Sequence, residues 1–289
     1  MATTVLRERM RSILRTRNYS LRTEETYLAA VSGFARHFGR PPDQLGSAEV
    51  TEYQIWLRQH KKVSASLFNQ TVCALRFFYG QVMGQTELAP RIAYARGERH
   101  LPVVLSIEET TRFLAAVDVP RYHVLLMTIY SAGLRLGEGV SLRASDIDSS
   151  RMVIRIRQGK GKKDRYVPLS PRLLSAMREH WRREHLSDLL FPSLRDPSRP
   201  VDPATVERFV RRVAERAGFR KRITPRTLRH SYATHLIENG TSTRVVQVLL
   251  GHADVHTTET YTHVSSQTIG KVFSPLDRMM PVVTLSPGR

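Results

Sequence analysis

"ITPRTLRHSYATHL", residues 223–236, crowds Arg226, Arg229, His230 and His235 among Leu228, Tyr232 and Leu236. A soluble chain has three uses for such a segment: a metal site, a phosphate clamp, or a decorated helix. On a helix at about 100° per residue, positions 226 and 229 lie about 60° apart, so both guanidinium groups can face one phosphate. Position 230 lies about 40° from position 226.

The neighbourhood favours the phosphate. From Arg208 to Arg229 the chain carries nine Lys/Arg, the densest positive run in the sequence. Over all 289 residues, 45 Lys+Arg stand against 26 Asp+Glu, a net charge of +19. That balance points to a polyanion, and nucleic acid is the commonest. Solubility alone is better served by acidic residues.

The length allows two domains, and 41% hydrophobic content supports a core in each. Cys73 is the single cysteine, so no internal disulfide can form and a reducing compartment fits. Its run, "LFNQTVCALRFFYG", predicts burial rather than reactivity. The Arg-rich N-terminus has no continuous apolar core, and no run approaches the roughly 18 apolar residues of a membrane span. The expectation is a cytoplasmic, nucleoid-associated protein with no membrane partner.

Three regions follow along the chain. Residues 1–87 read as helices only. "SLRTEETYLAAVSGFARHF" starts at Ser20 and repeats Tyr27, Ala30, Val31 and Phe34 at helical spacing. A later helix places Leu67, Val72, Leu75 and Phe78 inside. Residues 88–104 carry two prolines and no sustained period, which reads as a basic linker. Its Arg91, Arg96 and Arg99 suit a strap along a phosphate backbone. Residues 105–289 form the third region. It opens on the capping box "SIEE" and a helix, apolar nearly all round, that ends near Gly133. "RMVIRIR" alternates Met152, Ile154 and Ile156 against arginines, and "RYVPLS" returns as its partner strand. "ATVERFVRRVAERAG" sets Val206, Phe209, Val210, Val213 and Ala217 on one stripe, with an Arg-heavy opposite face. The expected class is mainly α with a small β-sheet.

Four separated motifs offer polar groups that a core would not want. "SAGLRLGEG" supplies Arg135 and Glu138; "QGKGKKDRYV" supplies Lys160; the opening stretch supplies Arg226 and Arg229. "LLGHADVHTTETYTH" supplies His252 and Tyr261. His252 and His256 are four apart, but no Glu stands at the zincin position, so the pattern points to no metal. "GKGKKD" lacks P-loop spacing, and no G-x-S-x-G elbow is present. Phosphodiester chemistry fits the whole set. Arginines stabilise the charge that builds on the non-bridging oxygens. Tyrosine can attack and store the bond, and lysine or histidine can donate a proton.

The ordered set Arg135, Lys160, Arg229, His252 and Tyr261 resembles the signature of the tyrosine recombinases, the phage-integrase and Xer-type family. "GLRLGE", "GKGKKDRYVPL", "LRHSYATHLIENG", "VVQVLLGH" and "TTETYTHV" are similar to its boxes in order and spacing, and "RHLPVVLS" and "SLRASDID" to its integron-integrase branch. The resemblance implies a helical core-binding domain joined to a catalytic domain, together a C-shaped clamp on DNA. It implies that Tyr261 attacks the scissile phosphate and forms a 3′-phosphotyrosyl link. Arg135 and Arg229 would hold the phosphate, Lys160 protonate the departing 5′ oxygen, His252 donate a hydrogen bond, and Glu138 support the site from behind. It implies no cofactor, and double-stranded recombination sites bound by a homodimer each and a homotetramer in synapsis. A non-catalytic DNA-binding protein and a type IB topoisomerase-like enzyme are the alternatives.

Two positions depart from the family pattern. The usual His-x-x-Arg reads Arg226-Thr227-Leu228-Arg229, which makes Arg226 an expected phosphate ligand in place of the histidine. Gly139 stands where a larger apolar residue is usual, and in a helix it costs about 0.5–1 kcal/mol relative to Ala.

Overall fold

The computed structural model describes residues 2–96, 102–157, 164–251 and 274–278. The chain divides into two compact units, Met1–His100 and Leu101–Arg289.

The first unit is helical: α1 (Ala2–Thr16), α2 (Leu21–Phe38), α3 (Ser47–Gln59), α4 (Ala65–Phe77) and the short α5 (Leu88–Arg91). Ser20 caps α2, its hydroxyl accepting from the Thr23 N–H, and Ser64 does the same for α4 through Leu67. Glu24 is buried and joins α1 to α2: its carboxylate takes Nε of both Arg11 and Arg15 at 3.0 Å. The core gathers Leu14, Val31, Phe34, Phe68, Val72, Leu75, Phe78 and Tyr79. Leu67, expected inside, is 47% exposed because Phe68 takes the inward place one residue on. Cys73 is half-buried rather than buried, with Sγ 3.6 Å from the Tyr94 hydroxyl.

Residues 90–95 are bonded onto this unit. Arg76 donates to the carbonyls of Ile92 and Pro90, Asn69 exchanges two bonds with Ala95, and Gln54 reaches Ala93. These are side-chain-to-backbone bonds, which leave no periodicity in the sequence.

The second unit carries α6 (Ile107–Ala115), α7 (Pro120–Ala132), α8 (Leu136–Val140), α9 (Pro171–Glu184), α10 (Pro203–Arg216), α11 (Pro225–Glu238) and α12 (Thr243–Leu250). A three-stranded antiparallel sheet orders β1 (Ile147–Asp148), β2 (Val153–Ile156) and β3 (Arg165–Pro168). Its register pairs Arg155 with Tyr166 and Ile156 with Arg165. Met152, expected in the strand, is a turn residue with φ 53°, so β2 begins at Val153. β1 is only two residues long, too short to show alternation.

Two contacts fix the frame around α7. Gly133 ends it with φ +62°, and a Cβ there would lie 2.5 Å from the Tyr232 ring of α11. Only glycine permits both that conformation and that approach. Gly139 then has a physical reason: a Cβ would lie 3.2 Å from Ile129 and 3.3 Å from Leu125, so α8 lies close on α7. Residues 274–276 pack on the same unit. Leu276 is buried, the Ser274 hydroxyl donates to the Ser131 carbonyl at 2.9 Å, and Arg172 donates to the Leu276 carbonyl at 3.3 Å.

Candidate functional site

Glu138 is the centre of the site. It sits in the first turn of α8 and accepts from the Arg135 backbone N–H at 2.8 Å, a capping box that fixes its rotamer. Arg165, leading β3, grips it at two points: Nη1 to Oε1 at 2.9 Å and Nη2 to Oε2 at 2.7 Å. Arg135 Nη1 adds a bond at 2.7 Å, and Arg229 Nη1 lies 3.7 Å away. Burial alone would push this carboxyl up. The bonds and charge of Arg165, then Arg135, outweigh it and hold the group at about 2.

The same three arginines donate to the end of α12. Arg165 Nε reaches the Leu249 carbonyl at 2.9 Å, Arg229 Nη2 reaches Leu250 at 2.6 Å, and Arg135 Nη2 reaches Gly251 at 3.0 Å. Arg229 Nη1 also takes the Gly133 carbonyl at 2.8 Å. Terminal helix carbonyls lack partners within the helix and carry partial negative charge, so they suit cations. Burial, and next the charge of Arg135, lower Arg229 to about 10, which leaves it protonated at neutral pH. Three guanidinium groups share one carboxylate, so the cluster keeps a net positive charge.

That charge faces a cleft of about 740 Å³. Arg135, Arg226, Arg229 and His230 line it, with Glu207, Arg208 and Arg211 of α10 and Arg222. Arg226 is exposed and donates from Nε to Nε2 of His230 at 3.1 Å. The cleft's guanidinium groups come from the N-cap of α8, from α10, and from α11 and the segment before it.

Arg135, Glu138, Arg226 and Arg229 therefore come together. Lys160, His252 and Tyr261, with Arg99 of the linker, lie outside the described residues. Arg91 and Arg96 are exposed on the first unit. Sequence reasoning missed Arg165. Its signal was its place in "KKDRYV", one strand residue past the turn, where the neighbouring lysines drew attention. It also missed Arg208, Arg211 and Arg222 as cleft residues. Arg143 pairs with Asp188. His235 is buried between the Tyr130 hydroxyl at 2.9 Å and the Leu105 carbonyl at 2.9 Å, a structural place. Nε2 can only donate to that carbonyl, and in a neutral ring Nδ1 then accepts from Tyr130. Among the described residues no three His, Cys, Asp or Glu side chains gather as a metal site, and no helix is long and apolar enough to cross a membrane.

Comparison with known proteins agrees with the fold. Residues 104–268 match the phage integrase family, and residues 6–87 match its N-terminal SAM-like domain. A putative integrase/recombinase y4qK of Sinorhizobium fredii is 38% identical over 288 residues, covering 99% of this chain and 93% of the relative. Tyrosine recombinase XerA of Thermococcus onnurineus is 32% identical, covering 83% and 85%. Among solved structures, a XerA recombinase is 28% identical with a TM-score of 0.50, covering 96% and 97%. A lambda integrase tetramer bound to a Holliday junction shares the fold with a TM-score of 0.69 at 19% identity, covering 88% and 75%.

Proposed function

The chain belongs to the phage integrase family, and from that premise we propose that its arginine cleft receives one scissile DNA phosphodiester. It is a site-specific tyrosine recombinase. The observation that carries the cleft assignment is the anchoring of Arg135 and Arg229 on Glu138 and on helix-end carbonyls, which aims fixed positive charge at one place.

Preorganised donors of this kind stabilise charge that develops in the transition state, each contributing about 10²–10³ in rate. In the proposed reaction Tyr261 attacks the phosphorus and the P–O5′ bond breaks, leaving a 3′-phosphotyrosyl link. Arg135, Arg226 and Arg229 bind the non-bridging oxygens, Lys160 protonates the departing 5′ oxygen, and His252 donates a further hydrogen bond. The phosphotyrosyl bond keeps the energy of the bond that was broken, so religation needs no ATP. Arg91, Arg96 and Arg99 bind phosphates of the DNA backbone. The partner is double-stranded DNA, with two copies of the chain on each site and four in synapsis. The lambda integrase tetramer on a Holliday junction supports that assembly by analogy of fold.

Incubation with a nicked, self-trapping site tests the reading. A covalent protein–DNA adduct that disappears in Tyr261→Phe is expected. A chain that binds the site and never forms the adduct would be a DNA-binding protein without catalysis.

A further inference from the structure

The side chains of α10 go three ways. Val206, Phe209, Val210 and Val213 are buried in the core of the second unit. Arg216 turns to another side, where its guanidinium meets Asp118 at 2.7 Å and the Ala116 carbonyl at 3.0 Å. Ala204, Glu207, Arg208 and Arg211 are exposed and line the arginine cleft. These last stand at i, i+3, i+4 and i+7, a sector about 100° wide on the side opposite the buried valines. The helix is 14 residues long, about 21 Å.

Glu207 is out of place in that sector. Among the described residues it is the one carboxylate lining the cleft, against Arg135, Arg208, Arg211, Arg222, Arg226 and Arg229. Its side chain has no hydrogen-bond or ion-pair partner among the described residues, although arginines surround it. DNA carries one negative charge per about 1.7 Å of duplex axis, so a carboxylate aimed at its backbone weakens every sequence alike. A carboxylate aimed at base edges accepts from an exocyclic amine instead. The major groove, about 12 Å wide, admits an α-helix and shows two such amines, cytosine N4 and adenine N6. Adenine sets the N7 acceptor beside its amine, which repels a carboxylate; cytosine does not.

We propose that Glu207 is a specificity-determining residue: it selects a cytosine beside the clamped phosphate by accepting from the N4 amine in the major groove. The inference rests on the reading of the cleft as the seat of a scissile DNA phosphodiester. Arg208 follows Glu207 in the chain and Arg211 stands one turn on. Their cations neutralise the flanking phosphates and offset the repulsion that the carboxylate brings. The arginines of the cleft thus give affinity without sequence, and Glu207 gives sequence at the cost of some affinity.

Selection of bound duplexes from a random pool, at one fixed salt concentration, tests this with the full chain. The wild type is expected to enrich cytosine about 10-fold at one position next to the cleaved phosphate. Glu207→Gln is expected to move that preference to adenine, whose N6 and N7 a glutamine amide matches, and Glu207→Ala to flatten it, with every other position unchanged. Adduct formation on nicked copies of the two selected sites should switch in the same sense. A merely structural or solubilising carboxylate would not exchange one base for another at a single position. Three identical base profiles, with affinity raised in both variants, overturn the proposal and make Glu207 a solvated charge facing the backbone. So does a wild-type profile without cytosine at the position the variants change. Glu207 is exposed, so both variants are expected to fold, which circular dichroism checks. Failure of the cleft reading shows separately, as a wild type that binds its selected site and never forms the adduct, and the three profiles still decide the role of Glu207.

Discussion

Arg165 and Glu138 meet in a two-point salt bridge, 2.9 Å and 2.7 Å, with both side chains about nine-tenths buried. Removing one member of such a pair leaves an uncompensated buried charge, at about 3–5 kcal/mol. Arg135 still neutralises part of Glu138, so Arg165→Met is expected near the lower end, about 3 kcal/mol, in chemical denaturation. Arg165→Lys keeps the charge and loses the fork, and is expected to fall between.

Acid should weaken the second unit through the same carboxylate. Glu138 is lowered from 4.5 to about 2. A depressed carboxyl stabilises the fold fully above its unfolded value and loses that contribution as pH falls towards its folded value. The contribution is about 3 kcal/mol above pH 4.5 and drains away between pH 4.5 and about 2. Comparing denaturation of the wild type and Glu138→Gln across that window checks the slope: the gap between them should close as the pH drops.

Gly133 and Gly137 are expected to respond oppositely to alanine. At Gly133 the left-handed backbone costs about 1–2 kcal/mol, and the 2.5 Å approach to Tyr232 adds a clash with a fully buried ring. At Gly137, inside α8, nothing lies within 4 Å of the new Cβ, so alanine should stabilise by about 0.5–1 kcal/mol. Thermal melts of the two variants should move in opposite directions.

Arg229→Lys should leave DNA affinity at low salt nearly unchanged and cut adduct formation by about 10²–10³-fold. An ammonium cannot span the Gly133 and Leu250 carbonyls in the plane that the guanidinium uses, so the remaining donor is misaimed. Filter binding and adduct assays on one preparation separate the two effects.

DNA affinity should fall steeply with salt, with a log–log slope of about −0.9 for each phosphate neutralised. A flat response would contradict the use of the +19 charge for DNA.

The helices were legible because their apolar positions repeat and their first turns carry Ser20, Ser64 and Ser106 as caps. Arg135, Glu138, Arg226 and Arg229 were legible as a group because each lies in a recognisable motif. Arg165 was not, since its partner stands 27 residues earlier and its own motif is dominated by lysines. β1 escaped because two residues cannot display a period. Gly139 was anomalous in sequence, and its reason is the closeness of Ile129 and Leu125, a tertiary fact.

The arginine layer also bears on how such a chain can drift. Four of its bonds end on main-chain oxygens, those of Gly133, Leu249, Leu250 and Gly251. A carbonyl cannot be removed by substituting its side chain. Leu249 and Leu250 can exchange for other apolar residues without loss of the acceptors, as long as the helix still ends where it does. Genetic variation behind the phosphate pocket is thus filtered by backbone path rather than by residue identity, and the two glycines that set that path, at φ +62° and +59°, carry the constraint for the whole layer.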